Sequence, residues 1–118
     1  STIPIINVKL DNHVIRCVAD TGSKLSYVAS SLVKDYQAIS QETDFYPGFG
    51  QFKTELYDIP IYLENHKFNF SLGTLPSLLE SALSLMNAQG IIGSEICEEW
   101  RVCFSNMNKS IFLERNSN

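Results

Sequence analysis

Clustered basic residues are missing from this chain: 9 Lys and Arg stand against 13 Asp and Glu, giving a formal net charge of -4 and an isoelectric point near 5.0. A protein that grips a phosphate backbone needs the opposite balance, so nucleic acid is excluded as a partner. No apolar run approaches the roughly 20 residues that span a bilayer, and the polar opening "STIPIINV" is not a signal peptide, so no membrane contact is expected within this segment. Cysteine is scarce. Cys17, Cys97 and Cys103 are odd in number, and their spacing fits neither a zinc site nor a disulfide framework. They are expected to be three small buried hydrophobes, with a Cys97–Cys103 bridge as the alternative. Repeats, low-complexity tracts and linkers are absent as well. With 118 residues, the chain has enough length for one hydrophobic core and too little for two, so 1–118 reads as a single domain. It starts on Ser1 rather than Met, the expected mark of a soluble domain excised or processed from a longer polypeptide.

What is present is an ordinary globular composition, 44% apolar and 19% charged, cut into short segments by turn residues. "IPIINVKL" and "HVIRCVAD" read as two strands joined across Asp11 and Asn12. In the second, Val14, Arg16 and Val18 face one way and Ile15, Cys17 and Ala19 the other, which predicts a largely buried strand. "SSLVKDYQ" reads as a short helix capped by Ser30 or Ser31. Residues 38–64 form a long hairpin with its tip at residues 47–50, Pro47-Gly48-Phe49-Gly50. "KFNFSL" alternates strictly and reads as one strand after a turn at Asn65 and His66. "PSLLESALSLMNAQ" places Leu78, Leu79, Ala82, Leu83 and Met86 at helical spacing behind Pro76. "GIIGSEICEEW" supplies β-branched residues between glycines and then a helical turn. "RVCFSNMNKSIFLE" reads as a closing hairpin turning at Asn106 to Asn108. The fold class is therefore all-β, with two or three short helices.

Asp20 ends a strand-forming run and is followed by Thr21, Gly22 and Ser23. Asp and Gly are ordinary turn residues, and a surface turn accounts for the triplet taken alone. Its surroundings argue for more: a buried strand leads into it, a glycine-tipped hairpin lies mid-chain, and Ile91-Ile92-Gly93 lies downstream. His13 and His66 fall at predicted turns and read as solvated side chains. Trp100 and the Leu stripe read as core.

In these three segments, "VADTGS", "YPGFGQF" and "GIIGSEI", the sequence resembles the retropepsin family of aspartic peptidases, the retroviral and retroviral-like proteases, in order and spacing over nearly the whole chain. The resemblance implies a closed β-barrel with one lobe per chain. It also implies an aspartic endopeptidase without metal or cofactor: two carboxylates sharing one proton activate water and protonate the carbonyl, because like charges about 3 Å apart cannot both ionise. The chain carries Asp-Thr-Gly once, so a homodimer is implied, with Asp20 of each copy meeting at the two-fold axis. Catalysis would rest on Asp20, Thr21 and Gly22, with the Thr21 hydroxyl bonding across to the partner's backbone and Gly22 letting a substrate strand approach. Ser23, Gly48, Phe49, Gly50 and Ile91 would contact substrate. Ser23 would hydrogen-bond the outer oxygen of Asp20, the tip glycines would hinge a flap, and Ile91 would line a subsite while Ile92 and Gly93 pack behind the loop. The substrate would bind as an extended strand. Many retroviral members brace the dimer with an acidic residue after the loop and an Arg after the downstream Gly. Here Lys24 and Ser94 stand there, with Lys24 expected to reach Glu95. The alternative is a catalytically silent domain of this fold that binds peptides or dimerises.

Overall fold

The computed structural model describes residues 3–103, and its organising unit is the hairpin formed by β1 (Ile5–Leu10) and β2 (His13–Ala19). Register runs unbroken from Ile5 opposite Val18 to Leu10 opposite His13, closed by a turn in which Asp11 takes φ 53°. Asp tolerates this left-handed conformation because its short side chain bonds locally. In β1, Val8 and Leu10 are buried while Asn7 and Lys9 face water, the period-2 alternation of a half-buried strand. β2 begins the same way, with Val14 70% exposed, and only from Cys17 onward is it covered on both faces. The expectation of a largely buried strand thus holds for its C-terminal half, the half that delivers Asp20.

Seven strands form one sheet in the order β7-β6-β1-β2-β9-β3-β8. β9 (Gly90–Ile92) lies parallel to β2 and antiparallel to β3 (Ser26–Val28). Gly90 is needed there, since a Cβ would lie 2.7 Å from the Tyr27 carbonyl oxygen and 2.9 Å from Cys17 Sγ. β6 (Ile61–Leu63) and β7 (His66–Phe68) pair across a two-residue turn in which Glu64 and Asn65 have φ of 46° and 70°. That is the turn geometry whose twist matches the flanking strands. "KFNFSL" is not one strand. The chain leaves β7 after Phe68 and re-enters the sheet as β8 (Leu72–Thr74) at the opposite edge, beside β3. Alternation reports which face is buried but not which neighbour is paired, so it runs through the break unmarked.

A separate two-stranded sheet, β4 (Ser40–Tyr46) and β5 (Gly50–Leu56), forms the long hairpin, with Tyr46 opposite Gly50 at its end. Ser30–Val33 is a 3-10 turn whose N-cap is Ala29, without a side-chain cap; Ser30 instead donates to Glu80. α1 (Ser77–Ser84) follows Pro76, which occupies the N-cap position. It buries Leu83, while Leu78 is 72% exposed, so the apolar stripe is narrower than its spacing implies. Asn87, at φ 56°, ends that segment.

The second helix, α2, occupies residues 94–103. Arg101 to Cys103 are therefore helical and not the start of a hairpin; the remainder of that expected hairpin lies outside the described residues. Ile96, Cys97 and Trp100 recur at helical spacing and pack on the core, which overrides the strand preference of Val102 and its neighbours.

Two apolar clusters sit on the sheet. One gathers Val8, Ile15, Cys17, Ile59, Ile61, Phe68 and Ile92, with α2 against it. The other gathers Val18, Leu25, Tyr27, Leu56, Leu83 and Ile91, with Tyr46 and Phe52 of the hairpin at its rim. Truncating a fully buried ring such as Phe68 costs about 3–5 kcal/mol. All three cysteines are free, but only Cys17 is fully buried; Cys97 and Cys103 are half-buried.

Candidate active site

Asp20 leaves the end of β2 into a tight loop held by backbone bonds from two directions. Its own N–H donates to the Ile92 carbonyl at 2.9 Å, and its carbonyl accepts from Ser23 N at 3.1 Å. Ser94 N donates to the Ser23 carbonyl at 2.7 Å, and Gly93 N donates to Ser26 Oγ at 2.8 Å, tying the loop to the β9–α2 corner. Gly93 leaves no room: a Cβ would overlap the Leu25 carbonyl oxygen and lie 2.8 Å from that of Ser23. Ile92 and Gly93 thus pack directly behind the loop.

The carboxylate of Asp20 is half-buried and has two donors from opposite sides. Gly22 N bonds Oδ1 at 2.9 Å from within the loop. A side chain on residue 22 would crowd the same oxygen, its Cβ 3.2 Å away. The Tyr46 hydroxyl donates to Oδ2 at 2.7 Å from the hairpin. Burial first, then this bond and the charge of Asp20, push the Tyr46 phenol up to about 12.

Thr21 and Gly22 are exposed at the crest of the loop. Ser23 points inward: it is 3% exposed, and its hydroxyl donates to the Leu25 carbonyl at 2.7 Å, so it does not bond Asp20 as expected. The Asp20 oxygens are bonded by Gly22 N and the Tyr46 hydroxyl instead. Lys24 does not reach Glu95; its ammonium lies 3.4 Å from Glu42 on β4.

At the hairpin tip Gly48 and Gly50 have φ of 84° and 108°, with open space around both. Phe49 packs edge-on against Phe52, with ring centroids 5.6 Å apart, and Phe52 leans on Tyr27 at 5.7 Å. Ile91 is wholly buried in the cluster that Tyr46 and Phe52 cover. Asp20, Gly22, Ile91 and the hairpin thus converge, while Ser23 supports the loop from beneath.

Tyr46 is the residue that sequence reasoning passed over, although it lies inside "YPGFGQF". Its signal was the alternation of β4. Glu42, Asp44 and Tyr46 share one face, and Tyr46 is the last of them before the tip.

No family model matches the chain, and no curated protein matches it. Among solved structures it is similar to EIAV protease complexed with the inhibitor HBY-793, with a TM-score of 0.64, 15% identity, and coverage of 85% of this chain and 89% of that one. The fold is mainly β and retropepsin-like. No helix among the described residues is long and apolar enough to cross a membrane.

Proposed function

We propose that the chain, read as one domain over residues 1–118, is an aspartic endopeptidase whose site is completed by a second copy. The observation that carries this reading is the setting of Asp20: it ends the buried half of a strand, its backbone N–H donates to Ile92 O and its carboxylate accepts from Gly22 N, beneath a glycine-tipped hairpin. The likeness to EIAV protease supports the general kind.

The chemistry follows from the residues. Asp-Thr-Gly occurs once, so a single chain holds one carboxylate where acid and base are both required. Two Asp20 side chains brought together across a two-fold axis share one proton. The ionised one takes a proton from water as it attacks the peptide carbonyl carbon; the protonated one gives its proton to the carbonyl oxygen. Collapse of the tetrahedral species breaks the C–N bond, and a proton passes to the leaving nitrogen. The exposed Thr21 and Gly22 supply the loop-to-loop contact and room for a substrate strand, while Gly48, Phe49 and Gly50 close over it.

Asp20→Asn removes the base from both subunits at once. Cleavage of a peptide library should fall by about 10³-fold or more, with the melting temperature unchanged, because Asn keeps an oxygen for Gly22 N. Wild-type kcat/KM should be bell-shaped in pH and should drop on dilution as the dimer dissociates. Pepstatin, a transition-state mimic, should bind the wild type and not the variant. Cleavage retained by Asp20→Asn would overturn the assignment, and an intact fold that neither cleaves nor binds pepstatin would favour a silent binding module.

A further inference from the structure

Among the described residues, two buried side-chain oxygens have no hydrogen-bond partner: Asp44 Oδ2 and the Tyr27 hydroxyl. The first belongs to the β4–β5 hairpin and the second to β3 of the large sheet. Asp44 is on β4, on the same face as Tyr46 and opposite Phe52. Tyr27 packs its ring against Phe52. Buried polar atoms are nearly always satisfied, so two exceptions, one on the cross-strand neighbour of Phe52 and one on its ring partner, mark a closure that is opposed as well as held. It is held near the tip by the Tyr46 phenol on Asp20 Oδ2 and the ring series Phe49, Phe52, Tyr27, along β4 by the exposed Lys24–Glu42 pair, and at its base by Thr54, whose hydroxyl oxygen accepts from Thr74 N at 2.8 Å. It has no ladder to the large sheet, because β4 and β5 pair only with each other.

We propose that Tyr46 is an autoinhibitory latch: in the free chain the hairpin plugs its own site, the phenol capping the Asp20 oxygen, and the Asp44 and Tyr27 oxygens, without protein partners, keep the plug releasable. The word autoinhibitory rests on the peptidase reading above; the latch itself does not. A peptide strand entering between hairpin and loop must displace the phenol, and the displacement opens both unpaired oxygens to new partners. At the tip end, opening is therefore opposed chiefly by the phenol bond and the ring contacts and favoured by relief of two unpaired oxygens, while Thr54 keeps the base of the hairpin on the large sheet, so that the end over Asp20 is the part free to lift.

The two halves of this balance are separable by substitutions of opposite effect. Tyr46→Phe keeps the ring and removes the donor; Asp44→Asn keeps the shape and replaces the carboxylate that carries the unpaired oxygen. Amide hydrogen exchange of the full chain reads hairpin opening without reference to activity, and β1–β2 amides report whether the fold is intact. Tyr46→Phe should speed exchange at residues 49–54 by about tenfold, consistent with loss of a bond to a charged acceptor. Asp44→Asn should slow it several-fold. Unchanged exchange in Tyr46→Phe, or faster exchange in Asp44→Asn, would overturn the latch. A second arm uses pepstatin as the probe, with association expected to be faster to Tyr46→Phe than to wild type. If pepstatin binds neither protein while exchange responds as stated, the peptidase reading fails and the latch stands. If pepstatin binds both at equal rates and exchange is unmoved, the latch fails and the peptidase reading stands.

Discussion

Asp20 and Tyr46 meet at 2.7 Å yet arrive on opposite kinds of structure. The Asp20 loop is built into the large sheet: β2 and β9 flank it, Ile92 O and Ser23 O anchor its ends through backbone bonds, and Gly93 is packed against it without space for a methyl group. The hairpin touches that floor through side chains, and its tip glycines stand in open space. In the peptidase proposed above, a carboxylate that must be placed to within fractions of an ångström gains from backbone anchoring, and a cover that must admit a polypeptide gains from being held by contacts that break one at a time. The division of labour is thus written in which bonds are backbone and which are side chain.

Glycine substitutions test that division most forcefully. Gly93→Ala drives a methyl group into the Leu25 and Ser23 carbonyls and should destabilise the whole domain by about 3 kcal/mol or more, lowering the melting temperature by well over about 10 °C. Gly48→Ala meets nothing in space and carries only the conformational penalty of φ 84°, about 1–2 kcal/mol. That penalty should stay at the tip, with peptide turnover reduced and the melting temperature lowered by less than about 4 °C. Thermal melts of the two variants side by side check this. Equal losses would mean that hairpin and floor unfold as one unit.

The same contrast sets what the sequence could disclose. Asp20, the tip at residues 47–50 and Ile91-Ile92-Gly93 were legible because each is a local pattern: a strand ending in a turn, a glycine-rich reversal, β-branched residues between glycines. Side-chain destinations were not. Ser23 turns to Leu25 O, Lys24 to Glu42 and Tyr46 to Asp20, because each depends on loop or hairpin geometry that no short window encodes. The break after Phe68 escaped for a related reason, since both halves of "KFNFSL" alternate correctly and only the neighbouring strand changes. Helix α2 was underestimated because packing of Trp100 and Cys97 on the core outweighs the strand preference of the residues that follow.

Alkaline pH sharpens the comparison at a smaller scale. Burial pushes Cys17 from 9.0 up to about 12, and Tyr46 rises from 10.0 to about 12. Both groups are neutral when protonated, so a raised value in the folded state stabilises the fold below the unfolded value and loses that contribution as pH climbs through the folded one. Cys17 sits in the floor and can ionise only when the domain opens globally; Tyr46 can ionise when the hairpin lifts alone. Hydrogen exchange corrected for its intrinsic pH dependence should therefore show the hairpin opening between about pH 10 and 12 ahead of global unfolding. The fall of melting temperature above pH 9 should be shallower in Cys17→Ala, whatever its stability at neutral pH. A hairpin that opens only together with β1 and β2 would contradict independent motion.

The smallest expected effect belongs to the ion pair between Lys24 and Glu42. It is the charged tie between the Asp20 loop and β4, at 3.4 Å, but its side chains are 67% and 36% exposed. Water screens such a pair and ordering the lysine opposes it, so its contribution is about 0.2–1 kcal/mol and weaker still in salt. Lys24→Gln should accelerate hairpin exchange by less than about fivefold, and the difference from wild type should vanish near molar salt. Tyr46→Phe should respond far less to salt, because its bond to Asp20 is short and half-buried. If Lys24→Gln opened the hairpin as much as Tyr46→Phe, closure would be governed by long-range charge at the base of the hairpin. The phenol on Asp20 would then be a consequence of closure rather than its cause.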